Sequence, residues 1–128
     1  MQLLIDTHAV LWWATDDLAL PASARKQIAH HGSGILVSAV SAWEIATKFR
    51  LGRLAGASDL VADFSGFLAR QKFQELSVTA AHGIRAGSLP GPHRDPFDRM
   101  LIAQAQAEDL AVVSNDEIFD HYGVRRFW

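Results

Sequence analysis

Residues 3–6 of this chain are Leu3-Leu4-Ile5-Asp6, an aliphatic run that ends directly in a carboxylate. A run without polar alternation predicts a short strand that is buried on both faces, as in parallel sheets. Two similar runs follow, at Ile35-Leu36-Val37 and at Leu110-Ala111-Val112-Val113. Residues 73–78 and 124–127 predict two further strands, the last of them at an edge of the sheet.

Helical patterns separate the predicted strands. Apolar residues recur at helical spacing within them, and capping residues or proline stand at several helix starts. Strands that alternate with helices predict an α/β fold, in which a parallel sheet carries helices on both faces. The length predicts a single domain over residues 1–128. The predicted helices cover about residues 10–14, 21–32, 41–51, 59–70, 79–86, 95–108 and 116–122.

The composition excludes several classes of protein. The 128 residues include no cysteine, which rules out disulfide scaffolds, thiolate zinc sites and cysteine nucleophiles. The longest apolar run, residues 9–14, is far too short to span a membrane, and the N-terminus lacks the pattern of a secretory signal. We therefore expect a cytoplasmic protein with no membrane contact. The net charge of −2 does not by itself indicate a nucleic-acid partner.

Four acidic residues stand at positions where ligands bind in open parallel sheets, beyond the carboxyl ends of the strands. Asp6 follows the first strand and Asp116 lies just beyond the strand that ends at Val113. Glu44 lies near the start of the helix after the second strand. Asp98 lies in the first turn of a later helix, and it joins the others only if the loop over residues 87–96 brings that helix start to the same edge.

Each of these acids also has a purely structural interpretation. Asp6 and Asp116 could cap the helices that follow them. Glu44 could form an i,i+4 ion pair with Lys48 on a solvated helix face. Asp98 could complement the dipole of its helix, although that helix is apolar nearly all round, so that a buried charge there would need a partner.

The set of four acids indicates a metal site. Carboxylates that share one small volume repel one another and raise each other's pKa, and a divalent cation removes that repulsion. All-oxygen ligands favour Mg²⁺ or Mn²⁺ over softer metals. A carboxylate-held Mg²⁺ that keeps several waters is suited to the hydrolysis of phosphate esters.

Four segments of the chain, in order and at suitable spacing, resemble the sequence blocks of the PIN-domain ribonucleases. The nearest group is the VapC-like toxins of bacterial toxin–antitoxin pairs. One departure is small: Ser114 stands where threonine is common, and the hydroxyl is kept. The four segments are residues 3–8, 37–52, 93–105 and 112–116.

The resemblance implies a PIN-like three-layer α/β/α domain with about five parallel strands. It also implies a Mg²⁺- or Mn²⁺-dependent endoribonuclease that cleaves RNA with a metal-activated water. The acidic quartet of the family carries over to Asp6, Glu44, Asp98 and Asp116, as catalytic residues and metal ligands. A homodimer and a cognate antitoxin protein, part of which blocks the site, are further implications.

Three polar residues are candidate contacts to an RNA substrate. Lys48 leaves the helix of Glu44, Arg99 follows Asp98, and both could bind phosphates. Ser114 is the third candidate, from the last of the four segments. The simpler interpretation of any one basic residue here is an ordinary solvated charge. The four tryptophans (Trp12, Trp13, Trp43 and Trp128) are expected in the core or at an interface.

Two other functions compete with a nuclease. A catalytically weak PIN-like interaction module would keep the fold and lack the chemistry. A phospho-receiver signalling domain has a similar length and acids at its strand ends. It would need an acidic pair after the first strand and a lysine after the fifth, whereas this chain has one acid there and no lysine after residue 72.

Overall fold

Five short strands form one sheet in the computed structural model, which describes residues 1–128. All four pairs of neighbouring strands are parallel, and the strand order is β3-β2-β1-β4-β5. The predicted parallel sheet is confirmed, with the last strand at an edge. The strands are β1 (Leu3–Ile5), β2 (Ile35–Ser38), β3 (Gln74–Leu76), β4 (Ala111–Val113) and β5 (Arg126–Phe127).

Eight helices connect the strands. Their starts follow local capping: the Asp6 carboxylate accepts the N–H of Ala9, and Thr79 and His82 form a reciprocal capping box. The helices are α1 (Thr7–Ala14), α2 (Ala22–His31), α3 (Ala39–Arg50), α4 (Ser58–Ala62), α5 (Phe64–Gln71), α6 (Ala80–Ser88), α7 (Pro96–Ala107) and α8 (Ile118–His121). None of them combines the length and the apolar character needed to cross a lipid bilayer.

Strand β1 supplies side chains to two separate hydrophobic cores. Leu3 and Ile5 face the core formed with helices α1 to α5, whereas Leu4 faces the core formed with α7 and α8. Side chains of a strand alternate between the two faces of the sheet, and helices cover both faces, so all three residues are fully buried. The architecture is therefore three-layered, α/β/α, as expected.

The helix predicted over residues 59–70 is wrong in one respect, because the chain breaks at Asp63. Its backbone leaves the helical region (φ −153°, ψ 68°), and its carboxylate accepts the N–H of Gly66 to start α5. A Cβ atom at Gly66 would lie 2.0 Å from the Asp63 carboxylate, so any other residue there would displace this cap. Helix α3 also begins earlier than predicted, since the Ser38 hydroxyl caps it by accepting the N–H of Val40.

The sheet order places a topological switch at β1. The chain runs from β1 to β2 and β3 on one side, then returns to add β4 and β5 on the other. Ligands of doubly wound folds bind at such a point, beyond the carboxyl ends of the strands. The order differs from the 2-1-3-4-5 order of the flavodoxin-like sheets, which include phospho-receiver domains. The topology thus argues against the phospho-receiver alternative.

Candidate active site

A cavity of about 340 Å³ lies beyond the carboxyl ends of β1 and β4. The structure brings all four predicted acids to its wall, from four separate segments of the chain. A fifth acid, Asp95, joins them, and Lys48 is the only lysine or arginine in the lining. The cavity is lined by Asp6, Thr7, His8, Trp12, Glu44, Lys48, Asp95, Asp98, Leu101, Asn115 and Asp116.

Asp6 lies at the centre of the sheet edge and is only 7% exposed. Its N–H donates to the carbonyl of Val113 in the neighbouring strand, which fixes the residue beside the end of β4. Burial raises the pKa of its carboxyl, against the opposing effects of hydrogen bonds from Ser114 and the N–H of Ala9. Asp6 therefore caps α1 and also lines the cavity, so its role as a cap does not exclude a role as a metal ligand.

Glu44 lies in the second turn of α3 and is 3% exposed, so it is not on a solvated face. The hydroxyls of Thr7 and Ser41, 2.9 Å apart, join the starts of α1 and α3 and so hold Glu44 close to Asp6. The ammonium of Lys48 donates to the carboxylate of Glu44. The predicted i,i+4 pair exists, but it is part of the cavity wall.

Asp98 reaches the cavity because the long loop before α7 ends at this edge of the sheet. Asp95 caps α7 by accepting the N–H groups of Phe97 and Asp98. Burial, followed by repulsion from Asp95, raises the pKa of Asp98 to about 6. The His93 imidazole opposes this shift, with Nε2 3.0 Å from the Asp98 carboxylate.

Asp116 is the most exposed of the four predicted acids. Its carboxylate accepts the N–H of Ile118 at 3.0 Å, and its own N–H donates to the hydroxyl of Ser114. The residue therefore shapes the turn into α8 and lines the cavity as well. Its charge raises the pKa of both Asp6 and Asp98, so the three carboxylates interact electrostatically.

Two residues near the cavity were not predicted as site residues. Asp95 was expected only as a helix cap, yet it also lines the cavity. His93 was expected at the surface or in a local cap rather than in contact with substrate, and its imidazole contacts Asp98. The sequence does hold a signal for Asp95, because it stands three residues before Asp98 and therefore on the same side of the helix start.

Of the three candidate substrate contacts, only Lys48 lines the cavity. The Arg99 guanidinium donates to three backbone carbonyls, at 3.0 Å to Ala86, 2.6 Å to Leu89 and 2.8 Å to His93. These donors hold the loop before α7, and the assignment of Arg99 to substrate stays a prediction. Ser114 is fully buried, and its hydroxyl bonds to Asp6 and to the N–H of Asp116, so its contact with substrate also stays a prediction.

The donor set fits a hard divalent cation in its chemistry. The four predicted acids face one cavity. Burial and repulsion between the carboxylates raise the pKa of Asp6 and of Asp98. Too few positive charges therefore stand near these acids to balance them. The ligand geometry is a separate matter, since no three acidic or histidine side chains form a ready metal-binding group. Glu44 gives one carboxylate oxygen to Lys48, and Asp98 gives one to His93.

Comparison with known families adds to this geometry. A family model for the PIN domain matches residues 3–124. The chain belongs to the PIN domain family. A comparison of its sequence with curated proteins finds no match.

Three solved structures share the fold of this PIN domain. The DNA-bound VapBC from Salmonella typhimurium aligns with a TM-score of 0.65 at 18% identity, over 98% of this chain and 96% of that chain. VapBC2 from Rickettsia felis, bound to a DNA fragment from its promoter, gives 0.71 at 14% identity, over 100% of both chains. A toxin–antitoxin complex from Klebsiella pneumoniae gives 0.53 at 14% identity, over 91% of this chain and 88% of that chain.

Proposed function

We propose that this PIN domain is a Mg²⁺- or Mn²⁺-dependent endoribonuclease and the toxin of a toxin–antitoxin pair. One observation carries the proposal: four acids from distant parts of the chain, Asp6, Glu44, Asp98 and Asp116, line one cavity at the switch point of the sheet. Their local roles explain two of them as helix caps. The caps do not explain why all four face the same space.

The charge balance of the cavity supports a bound cation. Five carboxylates line it, and Lys48 is the one lysine or arginine among them. We propose that Asp6, Glu44, Asp98 and Asp116 hold the ion. When bound, a divalent cation would polarise a phosphate oxygen and lower the pKa of a bound water, so that hydroxide is available near neutral pH.

The side chains of the cavity have separate tasks in this proposal. In the metal-free site burial and neighbouring acids raise the pKa of Asp98 to about 6, and a bound cation would favour its ionised form as a ligand. Lys48 is half-buried at the rim and can turn from Glu44 to a phosphate oxygen of the strand. Buried Ser114 and the Thr7–Ser41 hydroxyl pair keep Asp6 and Glu44 in place.

The biological role rests on the fold likeness to VapBC proteins over almost the whole chain. We propose an RNA substrate, a cognate antitoxin protein that covers the cavity, and a homodimer. The RNA, the antitoxin and the second copy of the chain would all be present in the cytoplasm. Growth arrest on expression, relieved by a small neighbouring gene, is the expected result in cells.

The deciding experiment is RNA cleavage by the purified chain with Mg²⁺, Mn²⁺ or EDTA. Wild-type protein should cut single-stranded RNA only with a divalent ion. Asp6→Asn and Asp98→Asn should lose at least about 100-fold in rate, because each removes a charge that holds the ion. Asp59→Asn is the matched control, since Asp59 is exposed and lies outside the cavity. Activity at the wild-type level in either cavity variant would refute the proposal.

A catalytically weak interaction module remains the second candidate, and one observation favours it. Glu44 and Asp98 already have partners in Lys48 and His93, so the pairs could persist without an ion. Thermal unfolding separates the two functions, because a cation that binds only the folded state raises the melting temperature. Millimolar Mn²⁺ should raise it in wild type and not in Asp6→Asn. An interaction module would show no such difference.

A further inference from the structure

The catalytic cavity has a second side that the nuclease chemistry does not use. His8, Trp12 and Asn115 line it together with the acids. The rings of His8 and Trp12 lie with centroids 5.7 Å apart, and the ring of Trp128 follows 5.9 Å beyond Trp12. We call His8, Trp12 and Trp128 the aromatic row. It begins in the cavity and leads away from it.

The aromatic row is held rigidly and only partly covered. Trp12 and Trp128 pack against the core on the α1–α5 face of the sheet, yet both stay partly exposed, and His8 is exposed. Helix α1 carries both His8 and Trp12, and the Asp6 carboxylate caps that helix. The cap therefore fixes the start of the helix that carries His8 and Trp12 beside Asp6, and Trp128 packs on Trp12 from the end of β5.

We propose that the aromatic row and Asn115 bind an unpaired nucleobase of the RNA strand, next to the phosphate that faces the acids. This inference rests on the proposed nuclease function and names a base-binding subsite within it. Unstacked bases of single-stranded RNA stack on aromatic side chains, and their edges form hydrogen bonds. Trp12 offers the ring, and the amide of Asn115 offers both donors and an acceptor.

The position of the row favours a base over a protein side chain. The acids and the aromatic row share one cavity of about 340 Å³, which lies within the range that encloses small ligands. A nucleotide has the same division, with a phosphate at one end and an apolar ring at the other. Trp43 provides a contrast, because it is 60% exposed and packs on Phe97 but does not line the cavity.

Binding without cleavage provides the test. Wild type, Trp12→Leu, Asn115→Ala and the control Trp43→Leu are titrated into a fluorescent single-stranded 12-mer of RNA with Ca²⁺ in place of Mg²⁺. A second 12-mer carries abasic residues throughout. Fluorescence anisotropy gives Kd. Trp12→Leu should weaken binding of the first strand roughly 10-fold, within the range of about 5- to 150-fold that one stacked base provides. Trp43→Leu should change it less than about twofold.

The abasic strand separates stacking from other effects. It should bind wild type and Trp12→Leu equally, because it has no base to stack. Equal weakening of both strands by Trp12→Leu, or weakening of neither, would overturn the inference. A change of oligomeric state with unchanged RNA binding would also overturn it and assign Trp12 to a protein interface.

Folding and catalysis are controlled independently. Trp12 packs on the core, so Trp12→Leu is compared with wild type by circular dichroism, and the exposed Asn115 supplies a second variant that leaves the core intact. Asn115→Ala should weaken base-containing RNA about two- to tenfold. Base-dependent binding without any Mg²⁺-dependent cleavage would refute the nuclease and keep the subsite. Mg²⁺-dependent cleavage together with binding that does not depend on the bases would keep the nuclease and refute the subsite.

Discussion

Replacing Asp98 by asparagine should make the metal-free protein more stable. The pKa of Asp98 is raised from 3.8 to about 6, because burial and neighbouring acids disfavour its charged form. The folded state therefore holds this proton more tightly than the unfolded state. Ionisation above pH 6 lowers the free energy of unfolding by an amount proportional to the difference between the folded and unfolded pKa values. Asparagine has nearly the same shape and no charge, so it removes that penalty.

The size of the effect follows from the shift. A difference of about 2 pKa units corresponds to about 3 kcal/mol at most, at about 1.4 kcal/mol per unit. The Asp98 side chain is 25% exposed, so solvent screening reduces this to about 1–2 kcal/mol. The gain should be nearly complete at about pH 7, fall to about a third at about pH 4.5, and vanish below about pH 3 as both states become protonated.

Urea unfolding in EDTA, at pH 7.5 and at pH 4.5, measures this difference. Asp98→Asn should show a higher midpoint than wild type at pH 7.5, and the difference should shrink at pH 4.5. Asp59→Asn serves as the control, because Asp59 is exposed and lies outside the cavity. Its effect should stay within about 0.5 kcal/mol at both pH values. A variant no more stable than wild type at pH 7.5, or equally stabilised at both, would refute the electrostatic reasoning.

Three further predictions concern side chains around the cavity. Arg99→Met should destabilise the protein by about 3–5 kcal/mol in urea unfolding, because three carbonyls lose a charged donor. Arg99→Lys should recover only part of this loss. A loss under about 1 kcal/mol in Arg99→Met would contradict the role of Arg99 in holding the loop. Lys48→Met should lower the melting temperature in EDTA, because Glu44 is left buried and unpaired. The variant should also show a larger increase in melting temperature with Mn²⁺ than wild type does. An unchanged response to Mn²⁺ would count against Glu44 as a ligand. Gly66→Ala should be about 1 kcal/mol less stable than Gly83→Ala, because its methyl displaces the Asp63 cap of α5. Both variants gain the higher helix propensity of alanine, and the methyl at Gly83 meets open space within α6. Equal stability of the two variants would contradict the role of the cap.

The sequence predicted β1, β2 and β4 well because these three strands are fully buried. Runs such as Leu3-Leu4-Ile5 have no polar residue to disturb the pattern, which is typical of the central strands of a parallel sheet. The break at Asp63 was missed for the opposite reason. The apolar positions of α4 and α5 continue a helical spacing across the break, so only the capping of Gly66 by Asp63 marks it.

The candidate site was predictable in its acids and not in their partners. Asp6 and Asp116 follow strands directly, and their meeting needs only parallel topology. His93 and Arg99 depend on the path of the loop before α7, which no local pattern specifies. Arg99 resembles a solvated charge in the sequence, yet its guanidinium lies against backbone carbonyls as far away as Ala86.

The distribution of the four acids along the chain has a consequence for synthesis. They stand at residues 6, 44, 98 and 116, on both sides of the central strand. A nascent chain on the ribosome carries Asp6 and Glu44 well before β4, the strand that positions Asp116, has been made. Under the proposed function, a shorter nascent chain would lack the full set of metal ligands, and RNA cleavage would begin only after β4 has joined the sheet beside β1.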